Sequence, residues 1–306
     1  MTPNPTAAAI IPVRGHGRLL SECLKSLRAQ QGDLEVIVVD DSPDASLTQP
    51  EGVRIVRSHG AGPYAARNLG AAATNADVLL FLDSRSRPRP GWAQALRNRF
   101  TDDAVALAAT DTRVLGGDSL AASAAQTQQF ARLANYTVNP YFRPYAPTCN
   151  LAVRHADFDA VSGFLPVRSG GDADLCWRIQ DLPGREFTTV DEVFMDWVPR
   201  DDLRQYIEQN FRYGGGSHQL RLDWESHGAA HRDPTPYWLL LRRSLALTVR
   251  IALAAARQDR PRTVTLLART QAISFQWGYT LACRRSGHLQ RVPLPLAGGA
   301  TAQPTA

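Results

Sequence analysis

Val78-Leu79-Leu80-Phe81-Leu82 is the stretch that most restricts what this chain can fold into. Five apolar residues in a row are too few for a free-standing helix, and the segment Ser84-Arg85-Ser86-Arg87-Pro88 interrupts them at once. Such a run reads as a strand buried on both faces, the kind found in parallel sheets covered by helices. Asp83 follows it directly. In open α/β sheets ligands sit outside the carboxyl ends of the strands. Asp83 is therefore a candidate metal or phosphate-site residue, with a plain polar strand terminus as the bland alternative.

The first half of the chain repeats this pattern. Ala7–Val13 is an apolar run closed by Arg14-Gly15-His16-Gly17, after which Leu20, Cys23, Leu24 and Leu27 recur at helical spacing. Leu34–Val39 is a second buried strand, ending in Asp40-Asp41, and Val53–Val56 is a short third. Gly60-Ala61-Gly62-Pro63 then opens an Ala-rich helix. Strands alternating with helices predict an α/β fold with a doubly wound, mostly parallel sheet. No G-x-G-x-x-G follows the first strand, which disfavours a dinucleotide-binding domain. Acids at two strand ends and a Gly-rich loop into a helix suit a nucleotide held by its base, ribose and diphosphate.

The 306 residues can bury a full core, and 44% hydrophobic content with 21% charge is ordinary for a folded protein. The net charge of +5 is concentrated late: ten Arg lie between Tyr237 and Arg291 against one acid, Asp259. Cys23, Cys149, Cys176 and Cys283 are scattered without a C-x-x-C pair, so neither a disulfide framework nor a zinc site is expected. With a polar, proline-bearing start and no secretory pattern, the expected location is cytoplasmic, with peripheral attachment to the inner face of the membrane open.

The succession Ile11-Pro12-Val13-Arg14-Gly15, Val36-Ile37-Val38-Val39-Asp40-Asp41-Ser42, Gly62-Pro63-Tyr64-Ala65-Ala66-Arg67-Asn68-Leu69-Gly70 and Val78–Ser84 resembles the donor half of GT-A-fold glycosyltransferases of the large family-2 type. The resemblance continues through Cys149–Val153, Ser162-Gly163-Phe164, Gly171–Arg178 and Asn210–Gly216, covering about residues 7–217. It implies a GT-A, Rossmann-like nucleotide-sugar-binding fold at 1–217, with a donor half at 7–114 and an acceptor half at 115–217. A basic helical extension at 218–293 and a disordered tail at 294–306, rich in Pro, Ala, Gly and Thr, would follow.

Sugar transfer from a nucleotide donor needs a base for the acceptor hydroxyl and positive charge for the departing diphosphate. By resemblance Asp172 is that base in an inverting displacement; an Asp at this loop-to-helix junction is also a good N-cap, and Asp174 is the fallback base. The family's usual Glu before that Asp is Gly171 here. Donor binding falls by resemblance to Pro12, Arg14, Asp41, Arg67 and Asp83, with Asp41 at the base and Arg67 near base or diphosphate; Arg85, where the chain departs from the family, is added as a donor-site candidate for its charge. Asn150, Asp174, Trp177, Arg178 and Arg212 are the acceptor-side or closing-segment candidates, and Gly214–Gly216 would permit the closing motion. Aromatics between Asn135 and Tyr145 can stack on a sugar or pack under a loop.

The chain departs from the family where charge is neutralised. The usual Asp-x-Asp, which holds a divalent cation through oxygen ligands, reads Asp83-Ser84-Arg85, and an Arg cannot ligate a metal. Asp196 aligns where the family commonly has a metal-binding His. Three readings are open: Arg85 neutralises the diphosphate as a fixed cation; Asp83 and Asp196 still hold Mn or Mg; or Arg85 and Asp196 form a structural ion pair in a site without catalysis. The resemblance favours a UDP-sugar, with GDP and dTDP open, and a glycan, lipid-linked sugar or small hydroxyl compound as acceptor. Its rival is a nucleotide-sugar-binding protein without turnover. The stretch Tyr237–Leu253 carries three Arg, too many for a membrane span, and suggests either an amphipathic helix on an anionic membrane surface or one of a helical pair, with Thr263–Gln276, packed on the catalytic unit. No nucleic-acid-binding module is recognisable, and no nucleic-acid partner is expected.

Overall fold

A computed structural model describes residues 4–15, 17–44, 47, 50–138, 142–230 and 232–285. The apolar runs become strands β1 (Ala7–Val13), β2 (Glu35–Asp40), β3 (Arg54–Arg57) and β4 (Val78–Leu82). All five residues of β4 are buried, as a run without alternation requires. The sheet continues with β5 (Ser86–Pro88), β6 (Val105–Val114), β7 (Asn150–Arg154) and β8 (Glu186–Trp197), in the order β3-β2-β1-β4-β7-β6-β8-β5. β1 pairs in parallel with β2 and β4, aligning Ile10 with Ile37 and Phe81. β7 enters antiparallel between β4 and β6, and β5 closes the far edge antiparallel to β8. The parallel half thus carries Val13, Asp40 and Leu82 to one edge, followed there by Asp41 and Asp83.

Helices cover both faces. On one, α1 (Arg18–Arg28) inserts Leu20, Cys23, Leu24 and Leu27 against Ile11, Val38 and Leu80, alongside Trp92 of α3 (Trp92–Arg97). On the other, α2 (Pro63–Ala71) packs near α6 (His155–Ala160) and α7 (Gly171–Gln180) around Phe81. Phe81, Phe158 and Phe164 form a ring cluster with centroids 5.2–5.6 Å apart. The short α4 (Leu120–Gln128) and α5 (Ala134–Thr137) lie between β6 and β7 in the chain. All four cysteines are free.

Beyond β8, α8 (Leu203–Asp223) runs unbroken through residue 217, where the sequence placed the end of the catalytic unit. The basic extension holds three described helices in place of the expected pair: α9 (Tyr237–Ala256), α10 (Arg260–Ala268) and α11 (Thr270–Arg285). Asp259 caps α10 by accepting from the Arg262 N–H at 3.0 Å. No described helix is long and apolar enough to cross a membrane. The tail expected to be disordered, 294–306, lies outside the described residues.

Gly214, Gly215 and Gly216 are interior residues of α8, not a hinge. α11 crosses α8 at this point, and a methyl group on Gly214 would run into the Phe275 carbonyl while one on Gly278 would run into the Phe211 carbonyl. The small residues allow two backbones to touch. From the sequence alone the triple Gly reads as a flexible segment, because a helix arriving from about 60 residues downstream leaves no local signal.

Candidate active site

At the carboxyl edge of the parallel strands lies a cavity of about 770 Å³. Pro12 of β1, Tyr64 and Arg67 of α2, Asp83 and Arg85 after β4, Asp172 and Trp177 of α7 and Arg212 of α8 all line it. Seven of the residues singled out in the sequence therefore meet in one place. Tyr136, Phe142 and Tyr145 form part of the wall and also pack together, Phe142 edge-on to Trp177 at 4.7 Å and Tyr136 to Tyr145 at 5.1 Å; Tyr141 lies outside the described residues.

Arg67 is buried, and its Nη2 donates to Asp83 Oδ1 at 2.8 Å. Its Nη1 donates to the Pro63 carbonyl at 3.4 Å. One carboxylate oxygen of Asp83 is thereby committed to a guanidinium.

Asp172 is the second residue of α7; Gly170 holds the N-cap position, so the capping role considered for Asp172 does not apply. Its Oδ1 accepts from the Tyr64 hydroxyl at 3.4 Å and from the Ala173 N–H at 3.2 Å, while the Tyr64 oxygen accepts from the Gly171 N–H at 3.1 Å. Burial pushes the Asp172 carboxyl above its ordinary range, and hydrogen bonds from main-chain N–H groups together with the charge of Arg67 pull it back only in part. A carboxylate with raised proton affinity, open to a cavity, is suited to accept a proton from a hydroxyl.

Six expected site residues lie elsewhere or serve the scaffold. Arg14 is exposed and is not part of the cavity wall. Asp41 Oδ1 accepts from Ser58 Oγ at 2.6 Å and from the Gly62 N–H at 3.1 Å, which pins the Gly-rich loop to the end of β2. Asn150 is buried in the sheet: its Nδ2 donates to the Thr110 carbonyl at 2.7 Å, and its Oδ1 accepts from Trp92 Nε1 at 2.8 Å. Asp174 faces away from the cavity, its Oδ2 taking Arg178 Nε and Nη2 at 2.9 and 2.7 Å and its Oδ1 taking Trp224 Nε1 at 3.1 Å. Arg178 in turn donates to the Val161 and Gly163 carbonyls at 2.6 and 2.8 Å, stapling the Ser162-Gly163-Phe164 turn to α7. With every oxygen engaged, Asp174 is no fallback base.

Asp196 is the sixth. Its two oxygens receive Arg89 Nε and Nη2 at 3.1 and 2.8 Å and Arg113 Nε and Nη2 at 2.9 and 3.1 Å. Side chains alternate along a strand, and it is the next residue, Trp197, that lines the cavity. The Arg85–Asp196 pair considered in the sequence does not form; Arg85 Nη1 donates instead to the Val198 and Pro199 carbonyls at 3.3 and 2.8 Å. Nor do the residues fit a divalent ion, which needs several hard oxygen ligands. Asp83 is half committed to Arg67, Arg85 stands two positions on, and Asp196 is saturated. Among the described residues no group of three His, Cys, Asp or Glu could hold a metal.

The cavity wall instead carries seven arginines, Arg67, Arg85, Arg168, Arg200, Arg212, Arg221 and Arg232, against the carboxylates of Asp83 and Asp172. Sequence reasoning missed Arg168, Arg200 and Arg232, which sit in irregular segments without periodicity. Tyr64 was within reach: it stands one helical turn before Arg67 and so shares its face.

The pattern of Glycosyl transferase family 2 matches residues 8–164, just over half of the chain. A pre-mycofactocin glycosyltransferase of Mycobacterium tuberculosis (strain CDC 1551 / Oshkosh) is 33% identical over 231 residues, 70% of this chain and 47% of that protein. Glycosyltransferase AglE of Haloferax volcanii is 26% identical over 71% of this chain and 74% of its own. The chain spans about half the length of the Mycobacterium relative. In structure it resembles the mannosyltransferase PcManGT from Pyrobaculum calidifontis, solved in complex with GDP-Man and Mn2+, with a TM-score of 0.58 and 15% identity over 94% of this chain and 88% of that one. That likeness gives the fold, which is GT-A. A match across the segment that carries β1 to β4, Arg67 and Asp83 makes this chain a member of glycosyl transferase family 2.

Proposed function

We propose that this protein transfers a sugar from a nucleoside-diphosphate sugar to an acceptor hydroxyl with inversion, with Asp172 as the base. The observation that carries the reading is a single cavity that holds a carboxylate of raised proton affinity and has an arginine-rich wall. In the step, the acceptor oxygen attacks the anomeric carbon from the face opposite the diphosphate. Its proton passes to the Asp172 carboxylate, and the nucleoside diphosphate leaves with the electron pair of the broken C–O bond. Pro12 and Arg67 would hold the donor, Trp177 and Arg212 the acceptor side, and UDP-sugars are the favoured donors. The acceptor is a glycan, a lipid-linked sugar or another small hydroxyl compound. The division into a donor half at 7–114 and an acceptor half at 115–217 belongs to the same reading.

A panel of UDP-, GDP- and dTDP-sugars, screened for binding and for transfer, tests it. Asp172→Asn is expected to lower turnover by about 10²–10⁴-fold while nucleotide binding persists. Unchanged turnover in that variant removes Asp172 from the mechanism. Binding without turnover in the unaltered protein favours a nucleotide-sugar-binding protein instead.

We also propose that α9 attaches the protein peripherally to an anionic membrane surface. The helix packs through Leu240, Leu247 and Ala254, whereas Trp238, Leu241, Leu245, Val249 and Leu253 form an exposed apolar stripe, with Trp238 65% and Leu245 69% exposed. Exposed Arg242, Arg243, Arg250 and Arg257 accompany it. The full-length protein is expected to float with vesicles containing phosphatidylglycerol, and Leu241→Glu with Leu245→Glu to abolish this. A protein that stays at the bottom of the gradient without those changes contradicts the attachment.

A further inference from the structure

We infer that Arg85 is a catalytic residue that takes the place of the divalent ion: the departing diphosphate is neutralised by guanidinium groups, and the site works without a metal. This rests on the transfer reading above.

Three independent features converge on it. First, Arg85 is anchored and aimed. Its Nη1 is fixed by the Val198 and Pro199 carbonyls at the end of β8, while among the described residues its Nε and Nη2 have no protein partner and the side chain lines the cavity. A guanidinium held at one nitrogen presents its remaining N–H groups in a fixed fork, which matches phosphate oxygens. Second, the carboxylates that a divalent ion would need are withdrawn. Asp83 Oδ1 is bound by Arg67, and both oxygens of Asp196 are bound by Arg89 and Arg113 on the far side of β8 from Trp197. Third, the cavity field has the sign of a cation already in place. Arg67, Arg168, Arg200, Arg212 and Arg232 share the wall with Arg85 against two carboxylates, a potential that attracts a diphosphate and repels a divalent ion.

In the transfer step the bond between the anomeric carbon and the diphosphate oxygen breaks, and the electron pair stays on that oxygen. The positive charge of Arg85 meets the negative charge as it develops, and nothing is oxidised or reduced.

The test uses the full-length protein and inorganic diphosphate as the probe, titrated calorimetrically in EDTA and again with manganese in excess, followed by transfer assays under both conditions. Binding in EDTA is expected, weakened about 10- to 100-fold in Arg85→Gln as one charge-assisted contact is lost, and less so in Arg85→Lys, which keeps the charge without the fork. Transfer in EDTA is expected to match transfer with manganese. Diphosphate binding that requires manganese, binding in EDTA that Arg85→Gln leaves unchanged, or no binding in either condition overturns the inference. Circular dichroism melts of both variants separate lost binding from lost folding; if Arg85→Gln does not fold, the EDTA and manganese titrations of the unaltered protein decide. Failure here is distinguishable from failure of the transfer reading. Turnover that appears only with manganese keeps the transferase and removes the metal-free site. Metal-independent diphosphate binding with no sugar transfer to any acceptor removes the transferase and keeps the anion site.

Discussion

Two aspartates two residues apart on α7 carry opposite assignments, and their surroundings decide which is which. Asp174 is buried with each oxygen hydrogen-bonded; Asp172 is half-buried at the cavity wall, with too few partners to offset its partial loss of water. Since its folded-state pKa lies above the unfolded value of about 3.9, Asp172 favours folding most at acid pH and loses that contribution as pH rises through the folded value. Two outcomes follow from this sign. The acid limb of kcat/KM falls at a higher pH than an ordinary carboxylate would give. At pH 7 Asp172→Asn melts at the same temperature as the unaltered protein or higher, whereas Asp174→Asn, which strips Arg178 of its buried counter-charge, loses about 3–5 kcal/mol and melts well below it. Differential scanning calorimetry at pH 7 checks both. The sequence made Asp172 the base by resemblance, but could not separate it from Asp174, because one residue type at one helix end offers no clue to which oxygens a distant Trp224 and a neighbouring Arg178 will occupy.

At the scale of elements, legibility followed the locality of the signal. The apolar runs of β1, β2 and β4 announced themselves because burial on both faces leaves no alternation to misread. The direction in which β8 turns its side chains was not legible: a shift of one residue exchanges Asp196 with Trp197 between the faces, and the bulges in the β6–β8 pairing interrupt the register just before them. The α8–α11 crossing was hidden for a different reason, being a contact between segments about 60 residues apart. Because Gly278 lies against the Phe211 carbonyl, Gly278→Ala is expected to cost about 1–3 kcal/mol or more by forcing the helices apart, although the same change in an exposed helix would stabilise it. Thermal melts of this variant, with Gly215→Ala as a reference because a methyl there meets only the Gly278 carbonyl at 3.8 Å, check the magnitude.

The molecule as a whole carries +5, and its cavity concentrates that sign at the proposed donor site. Long-range attraction of this kind is screened over about 10 Å at 0.1 M salt and about 3 Å at 1 M. The donor KM is therefore expected to rise severalfold between 0.05 and 0.5 M sodium chloride, with kcat and the KM of a neutral acceptor changing little; initial rates across that range are the check. The sequence located the basic excess in the extension and in single motifs. It gave no sign that Arg168, Arg200 and Arg232, drawn from three separate loops, would share a wall, because only the folded topology brings them together.

In the proposed transfer, the close approach of α8 and α11 bears on how the donor is divided between competing nucleophiles. Gln271 and Phe275 of α11 form one side of the cavity, and they are held there by the glycine contact. A chain cut at residue 217 would lose that side and open the anomeric carbon to bulk solvent. Water would then compete with the acceptor, and the ratio of donor hydrolysis to sugar transfer would climb even with Asp172 and Arg85 intact. In the proposed transfer, the extension keeps the sugar for its acceptor.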